Sequence, residues 1–292
     1  MRLTLPVPDP FSFELTLQFL QRSPKELLHR TLDDRVIKLL PVGKEMVLFS
    51  VREGSNKLIV DFLNGDPSLT AKAEIKNYVN EWFDLGTDLK PFYTLARKDD
   101  LLKNLVRKYS GYRIIGQPDL FESLVWAVLG QQINLNFAYS LKQRFVELFG
   151  QSVEIEGHRY FAFPTADVVA DLTDADLLPL QFSRQKSKYV QLIAKAFVVG
   201  EVSKSKLRGM ALQEAKEHLI KIKGVGNWTA NYALMKTFRY PDAFPLEDVA
   251  LHKAVMIGKG LKARPSLDHL KRIFKKYKGW EAYATLYLWK SL

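Results

Sequence analysis

A chain of 292 residues with 47% hydrophobic and 26% charged side chains has the balance of a globular protein, and no apolar run approaches the roughly 20 residues of a membrane-spanning helix. It contains no cysteine, which excludes disulfides, a thiolate zinc site and a cysteine-held iron–sulfur cluster; its five histidines, His29, His158, His218, His252 and His269, are too scattered to pair at metal-ligand spacing. The net charge of +11 resides entirely in residues 106–292, with 28 basic against 17 acidic side chains, because residues 1–105 hold 15 of each, and a basic half points to a polyanionic partner.

In chain order, Met1-Arg-Leu-Thr-Leu-Pro6 lacks the apolar stretch and small-residue cleavage site of a signal peptide, so a cytoplasmic, nucleoid-associated location is expected. The apolar-rich segment 11–20 after Asp9-Pro10 reads as a helix. Segments 35–41, 45–51 and 57–63 read as strands, the last two joined by a turn at Gly54-Ser55-Asn56. Residues 69–85 have helical periodicity, with Ile75, Val79 and Trp82 on one face. From about Asp99 the pattern turns helical and is expected to stay so, with Thr165, Thr173 and Ser183 as helix caps. These readings predict an α+β protein: an N-terminal mixed α/β domain (antiparallel sheet plus helices) over residues 1–105, then an all-α region over 106–292. The boundary is expected near the basic stretch Lys103–Arg113, before Pro118.

The most distinctive loop is Ile220-Lys-Ile-Lys-Gly-Val-Gly-Asn-Trp-Thr-Ala230, where one helix ends and another begins at once. Gly224 and Gly226 permit positive φ and close backbone approach. The loop amides of Lys223, Gly224, Val225 and Gly226 then converge with a helix N-terminus on one anion site, suited to a DNA phosphate beside Lys221 and Lys223. Taken alone, a Gly-x-Gly is more often an ordinary tight turn between helices.

The wider string, Ile222-Lys-Gly-Val-Gly-Asn-Trp-Thr-Ala-Asn-Tyr232, resembles the helix-hairpin-helix DNA glycosylases, and among them the AlkA-type DNA-3-methyladenine glycosylases II. Asp119-Leu-Phe-Glu-Ser-Leu-Val-Trp-Ala-Val-Leu-Gly-Gln-Gln-Ile133, Phe163-Pro-Thr165 and Phe244-Pro-Leu-Glu-Asp-Val249 match that family in order and spacing. The match covers roughly residues 100–292; the first hundred residues resemble its N-terminal domain in layout only. The resemblance implies two helical subdomains with the active-site cleft between them, and damaged double-stranded DNA as the partner of a monomer. The implied reaction is hydrolysis of the N-glycosidic bond of alkylated bases, of the 3-methyladenine and 7-methylguanine type, after base flipping.

By position alone Asp248 reads better as a simple helix cap; the resemblance reverses this and makes it the catalytic carboxylate, a fixed anion facing the positive charge that grows on the deoxyribose. Its neighbour Glu247 is expected to be structural. Trp228 and Tyr232, at i and i+4, share a helix face. The C-terminal segment adds Trp280, Tyr283, Tyr287 and Trp289, of which Trp280 and Tyr283 are expected in the core. Phe19 and Trp289 match pocket aromatics of the family, and such a cleft suits a cationic base. In relatives that also nick the strand a lysine stands where this chain has Trp228, so a monofunctional enzyme is implied. Gln132 is expected as the wedge that fills the gap left by the flipped base. No cofactor is expected, although the family's hairpin places a sodium or potassium ion on carbonyls matching Ile220, Ile222 and Val225. The competing readings are a non-catalytic damaged-DNA-binding protein and a glycosylase for oxidised or deaminated bases on the same scaffold.

Overall fold

The computed structural model describes residues 2–292. Its first part runs β1 (Arg2–Pro6), α1 (Phe13–Leu20), β2 (Arg30–Leu32), β3 (Arg35–Val42), β4 (Glu45–Gly54), β5 (Lys57–Phe62), α2 (Leu69–Trp82), α3 (Lys90–Ala96) and α4 (Lys103–Lys108). Then follow α5 (Leu120–Gly130), α6 (Leu135–Phe149), β6 (Ser152–Ile155), β7 (His158–Phe161), α7 (Ala166–Ala170), α8 (Asp174–Leu177), α9 (Arg184–Val198), α10 (Lys204–Leu207), α11 (Leu212–Ile220), α12 (Asn227–Phe238), α13 (Val249–Gly258), α14 (Leu267–Phe274) and α15 (Glu281–Trp289).

The first five strands form an antiparallel sheet in the order β1-β5-β4-β3-β2. Alternation along β3 and β4 sends Val36, Phe49 and Val51 to one face, beneath α1 and α2, and Ile37, Leu39 and Leu48 to the other. The second face is covered by the β6–β7 hairpin through Val153, Ile155 and Tyr160. This hairpin corrects the expectation of uninterrupted helix after residue 99. Its turn is Glu156-Gly157, with φ of 52° and 73°, the double positive φ that matches strand twist. Strands β1 and β2 were also not expected; both sit at sheet edges, paired to strands that were. The caps are as read: Thr165 accepts from the Val168 amide, Ser183 from that of Lys186, and Thr173 forms a capping box with Asp176.

Two hydrophobic cores organise the molecule. One joins the inner sheet face and α1–α4 to the C-terminal helices, through Leu17, Phe49, Val79 and Phe92 against Leu251, Val255, Tyr283 and Tyr287. The other lies among α5, α6, α9, α11 and α12, through Leu124, Phe145, Val190, Leu219 and Leu234. A division at 105/106 falls inside α4, and α13–α15 return to the core of the sheet. Between the bodies lies a buried ion triad: Lys142 Nζ stands 2.9 Å from Glu26 Oε2 and 3.6 Å from Glu122 Oε1.

Candidate active site

The α11–α12 turn is as tight as its glycines imply, but the two differ. Gly224 has φ +101°, and a Cβ there would lie 2.3 Å from Cγ of Tyr189 on α9, so ring and conformation both demand glycine. Gly226 has φ −89° and nothing within 4 Å of a built Cβ, which corrects the expectation of positive φ at both. Its place is the N-cap of α12, with no side chain bonding the first-turn amides; those N–H groups lack intrahelical acceptors, and the turn carries the exposed Lys221 and Lys223.

Gln131 fixes the turn from the other side, donating from Nε2 to the Gly224 carbonyl at 3.2 Å and to Thr229 Oγ1 at 3.0 Å. The next residue, Gln132, is exposed with φ +57°. The C-terminal carbonyls of α5 converge on Lys186: Val128 and Leu129 at 2.9 Å and Gln131 at 2.7 Å. Burial pushes the Lys186 ammonium down to about 8. Among the hairpin carbonyls matched to a cation, that of Ile222 already accepts the Val225 N–H at 3.0 Å, leaving it one lone pair for an ion.

Asp248 is the N-cap of α13, one residue ahead of the helix in which it was expected. Its Oδ1 accepts the Leu251 amide at 2.7 Å and the Trp289 indole N–H at 2.8 Å; its Oδ2 accepts the Trp228 indole N–H at 3.1 Å. Three donors thus hold a half-buried carboxylate in one orientation. The loop bearing it is tied to α12 as well: Asn227 Nδ2 donates to Glu247 Oε1 at 2.7 Å, and Asn231 Oδ1 accepts the Phe244 N–H at 3.1 Å. Glu247 therefore braces the hairpin helix against the Asp248 loop.

The aromatics form a wall leading away from Asp248. Trp228 stacks on Tyr232 at 5.3 Å and 22°, and Trp289 approaches Tyr232 at 6.4 Å. Trp126 Nε1 donates to Tyr232 Oη at 3.1 Å, and its ring meets Tyr139 at 4.8 Å. Arg22 Nε donates to Tyr139 Oη at 2.5 Å, with its guanidinium carbon 3.9 Å from the centre of the Phe19 ring. The structure thus gathers Trp228, Tyr232 and Trp289 around Asp248, while Phe19 lies farther along, against Arg22 and Lys236. Tyr283 and Tyr287 are buried and Trp280 is half-buried, all three packing on Phe92 in the first core. Sequence reasoning missed Arg22, Trp126 and Tyr139. Trp126 lies inside the 119–133 motif and could have been flagged; the other two carry no local signal.

Residues 125–279 match the family model of the HhH-GPD superfamily of base excision DNA repair proteins, and residues 16–124 that of the 8-oxoguanine DNA glycosylase N-terminal domain. A DNA-3-methyladenine glycosylase of Bacillus subtilis is 42% identical over 99% of this chain and 97% of its own length. A 3-methyladenine DNA-glycosylase from Archaeoglobus fulgidus has the same fold, with a TM-score of 0.84 and 21% identity, covering 99% of this chain and 97% of that one. An 8-oxoguanine glycosylase/lyase of Clostridium acetobutylicum, in complex with double-stranded DNA, superposes with a TM-score of 0.73 and 23% identity, covering 92% and 88% of the two chains. Fold, hairpin and family match agree: the chain belongs to the HhH-GPD superfamily of base excision DNA repair proteins and is a DNA N-glycosylase.

Proposed function

We propose that this enzyme is a monofunctional glycosylase for alkylated bases, of the 3-methyladenine and 7-methylguanine type, in duplex DNA. The observation that carries the reading is Asp248, held by two indole N–H groups and a helix amide at the end of an aromatic wall. The name of the 42% identical relative supports the choice of base. As the C1′–N bond lengthens, positive charge grows on the deoxyribose and the oriented anion stabilises it without reorganising. A base made cationic by methylation stacks on Trp228 and Trp289, and the charge it carries makes it a good leaving group. The base reaches the cleft by flipping, with Gln132 entering the stack in its place. Gly224, Val225, Gly226 and Lys223 hold a backbone phosphate, and a sodium or potassium ion on the carbonyls of Ile220, Ile222 and Val225 would add local positive charge to that grip. The enzyme acts as a monomer on damaged double-stranded DNA, with its cleft between the two helical parts. The test is release of labelled 3-methyladenine and 7-methylguanine from methylated DNA; no release, with damage binding intact, would favour a binding protein instead.

Trp228 stands where strand-nicking relatives carry a lysine, and indole has no amine to attack C1′. Borohydride is therefore expected to trap no covalent complex with damaged DNA, and a robust adduct on a denaturing gel overturns the monofunctional reading. Trp228→Ala removes both a donor to Asp248 and the partner of Tyr232. Single-turnover excision is expected to fall about 100-fold, while equilibrium binding to an abasic duplex changes less than about threefold. Equal losses would assign Trp228 to packing. The match of residues 16–124 to the 8-oxoguanine glycosylase N-terminal domain favours a second reading, hydrolytic removal of an oxidised base, which the same release assay on 8-oxoguanine DNA decides.

A further inference from the structure

Helix α5 ends abruptly. Gly130 is its last residue, and Gln131 turns out of it with ψ 128°, so its final carbonyls need donors from elsewhere. Its last turn, Ala127-Val-Leu-Gly130, carries no basic side chain of its own. The donors come from α9 instead. Lys186, buried in the first turn of that helix, gives its Nζ to the carbonyls of Val128 and Leu129 at 2.9 Å and of Gln131 at 2.7 Å. An ammonium has three N–H groups, and these three acceptors use them all. A cation also suits this end of the helix dipole.

The contacts continue beyond a helix cap. Gln131, whose carbonyl Lys186 holds, reaches with its side chain to the Gly224 carbonyl and to Thr229 Oγ1. Gln132 follows, exposed and in the left-handed region at φ +57°, a backbone conformation that a glutamine keeps where its neighbours are fixed. Tyr189, three residues after Lys186 on α9, packs its ring against Gly224. One face of α9 thus holds the Gln131–Gln132 turn through Lys186 and the hairpin through Tyr189. That face is itself anchored: Ser183 Oγ accepts the Lys186 N–H at 3.2 Å, and Ser187 Oγ donates to Asp174 at 2.6 Å.

We propose that Lys186 is a positioning residue that sets the reach of Gln132 from the hairpin, so that gripping the DNA backbone and entering the base stack act as one unit. The inference rests on the proposed roles of Gln132 and the hairpin. Lys186 touches neither base nor sugar; it acts through Gln131. Without its ammonium the hairpin keeps Tyr189 and its own turn, but the Gln131 carbonyl is released and Gln132 no longer stands at a fixed distance from the gripped phosphate. DNA binding then survives, while insertion into the stack weakens.

The readout is kept apart from bond cleavage. A duplex with a tetrahydrofuran abasic site has no base to release, and 2-aminopurine placed opposite that site changes its fluorescence when a side chain entering the gap unstacks it. Lys186→Met is expected to cut this response about threefold or more at saturating protein, and to slow single-turnover release of 7-methylguanine by about 10- to 100-fold, the cost of roughly an ångström of misplacement. The dissociation constant for undamaged duplex should stay within about threefold, because the phosphate contacts remain. The chain has no cysteine, so Lys186→Cys supplies a single thiol. Alkylating that thiol with 2-bromoethylamine in the unfolded protein, then refolding, rebuilds a side chain of lysine's length with its ammonium. The product is expected to recover the response and the release rate to within about threefold of wild type carried through the same steps.

Equal losses in response, release and affinity for undamaged duplex would make Lys186 a packing residue and overturn the proposal. So would an unchanged response in Lys186→Met, or a restored ammonium that leaves the defect in place. Should Lys186→Met fail to fold, Gln131→Leu cuts the same link on the hairpin side; the same split is expected, and an unchanged response overturns the proposal. Gln132→Ala with a full response defeats the role of Gln132 and this inference with it. Wild-type protein that gives the response but releases no 7-methylguanine defeats the alkylated-base reading alone, and the response of Lys186→Met still decides this one.

Discussion

Asp248→Asn is expected to lower single-turnover release of methylated purine by on the order of 10³-fold, about 4 kcal/mol of transition-state stabilisation. The protein should otherwise be nearly unchanged. Asparagine is as good an N-cap as aspartate, so its Oδ1 can still accept the Leu251 amide and the Trp289 indole. The one bond lost is at Oδ2, where an amide NH₂ would face the Trp228 indole donor. A melting temperature within about 2 °C of wild type, together with the rate loss, assigns the effect to charge. Asp248→Ala is a poorer test because loss of the cap alone costs about 1 kcal/mol. Full activity in the asparagine variant would remove Asp248 from the chemistry.

The second large effect concerns stability. Lys142→Met leaves Glu26 and Glu122 buried without their shared cation, and breaking such a buried group costs about 3–5 kcal/mol. Its pH dependence should also shift. In the wild type burial works to raise the Glu26 carboxyl, but the charges of Lys142 and His29 and hydrogen bonds from the Leu28 amide and Lys142 bring it down to about 2. A carboxylate lowered in the folded state contributes stability that is present above its unfolded value of about 4.5 and is lost as pH falls towards 2. Without Lys142 the largest opposing cause is gone, and burial pushes the folded value back up. The variant should therefore gain stability relative to the wild type as pH falls from 7 towards 5. Urea unfolding of both proteins at both pH values measures this; a difference between them that does not change with pH would mean the triad is open to water.

Much of this was legible in the sequence because it is local. Alternation marked β3, β4 and β5, and the i, i+4 pair Trp228 and Tyr232 does share a face and stack. Asp248 was located by motif, and its two indole partners were both among the residues singled out. The parts that were hidden depend on distant pairing. Arg22 meets Tyr139 across 117 residues and Glu26 meets Lys142 across 116, and neither leaves a periodic trace. The β6–β7 hairpin was missed for a related reason: its strands are four residues each, and its Glu-Gly turn lacks the Asn-Gly or Asp-Gly signal. The glycines show the limit of a motif. Gly224 answers to Tyr189 on α9, a contact no local pattern contains, while Gly226 is open on the protein side.

The sharing of one core between the N-terminal sheet and α13–α15 has a consequence for the order of assembly. A polypeptide emerging from the ribosome lays down the sheet and α1–α4 first, but the helices that finish their interior come only after α5–α12 have been made. The hairpin proposed to grip a phosphate can therefore close while the proposed catalytic carboxylate is still untranslated. The proposed cleft is therefore completed only when α13–α15 have packed onto the sheet and α1–α4.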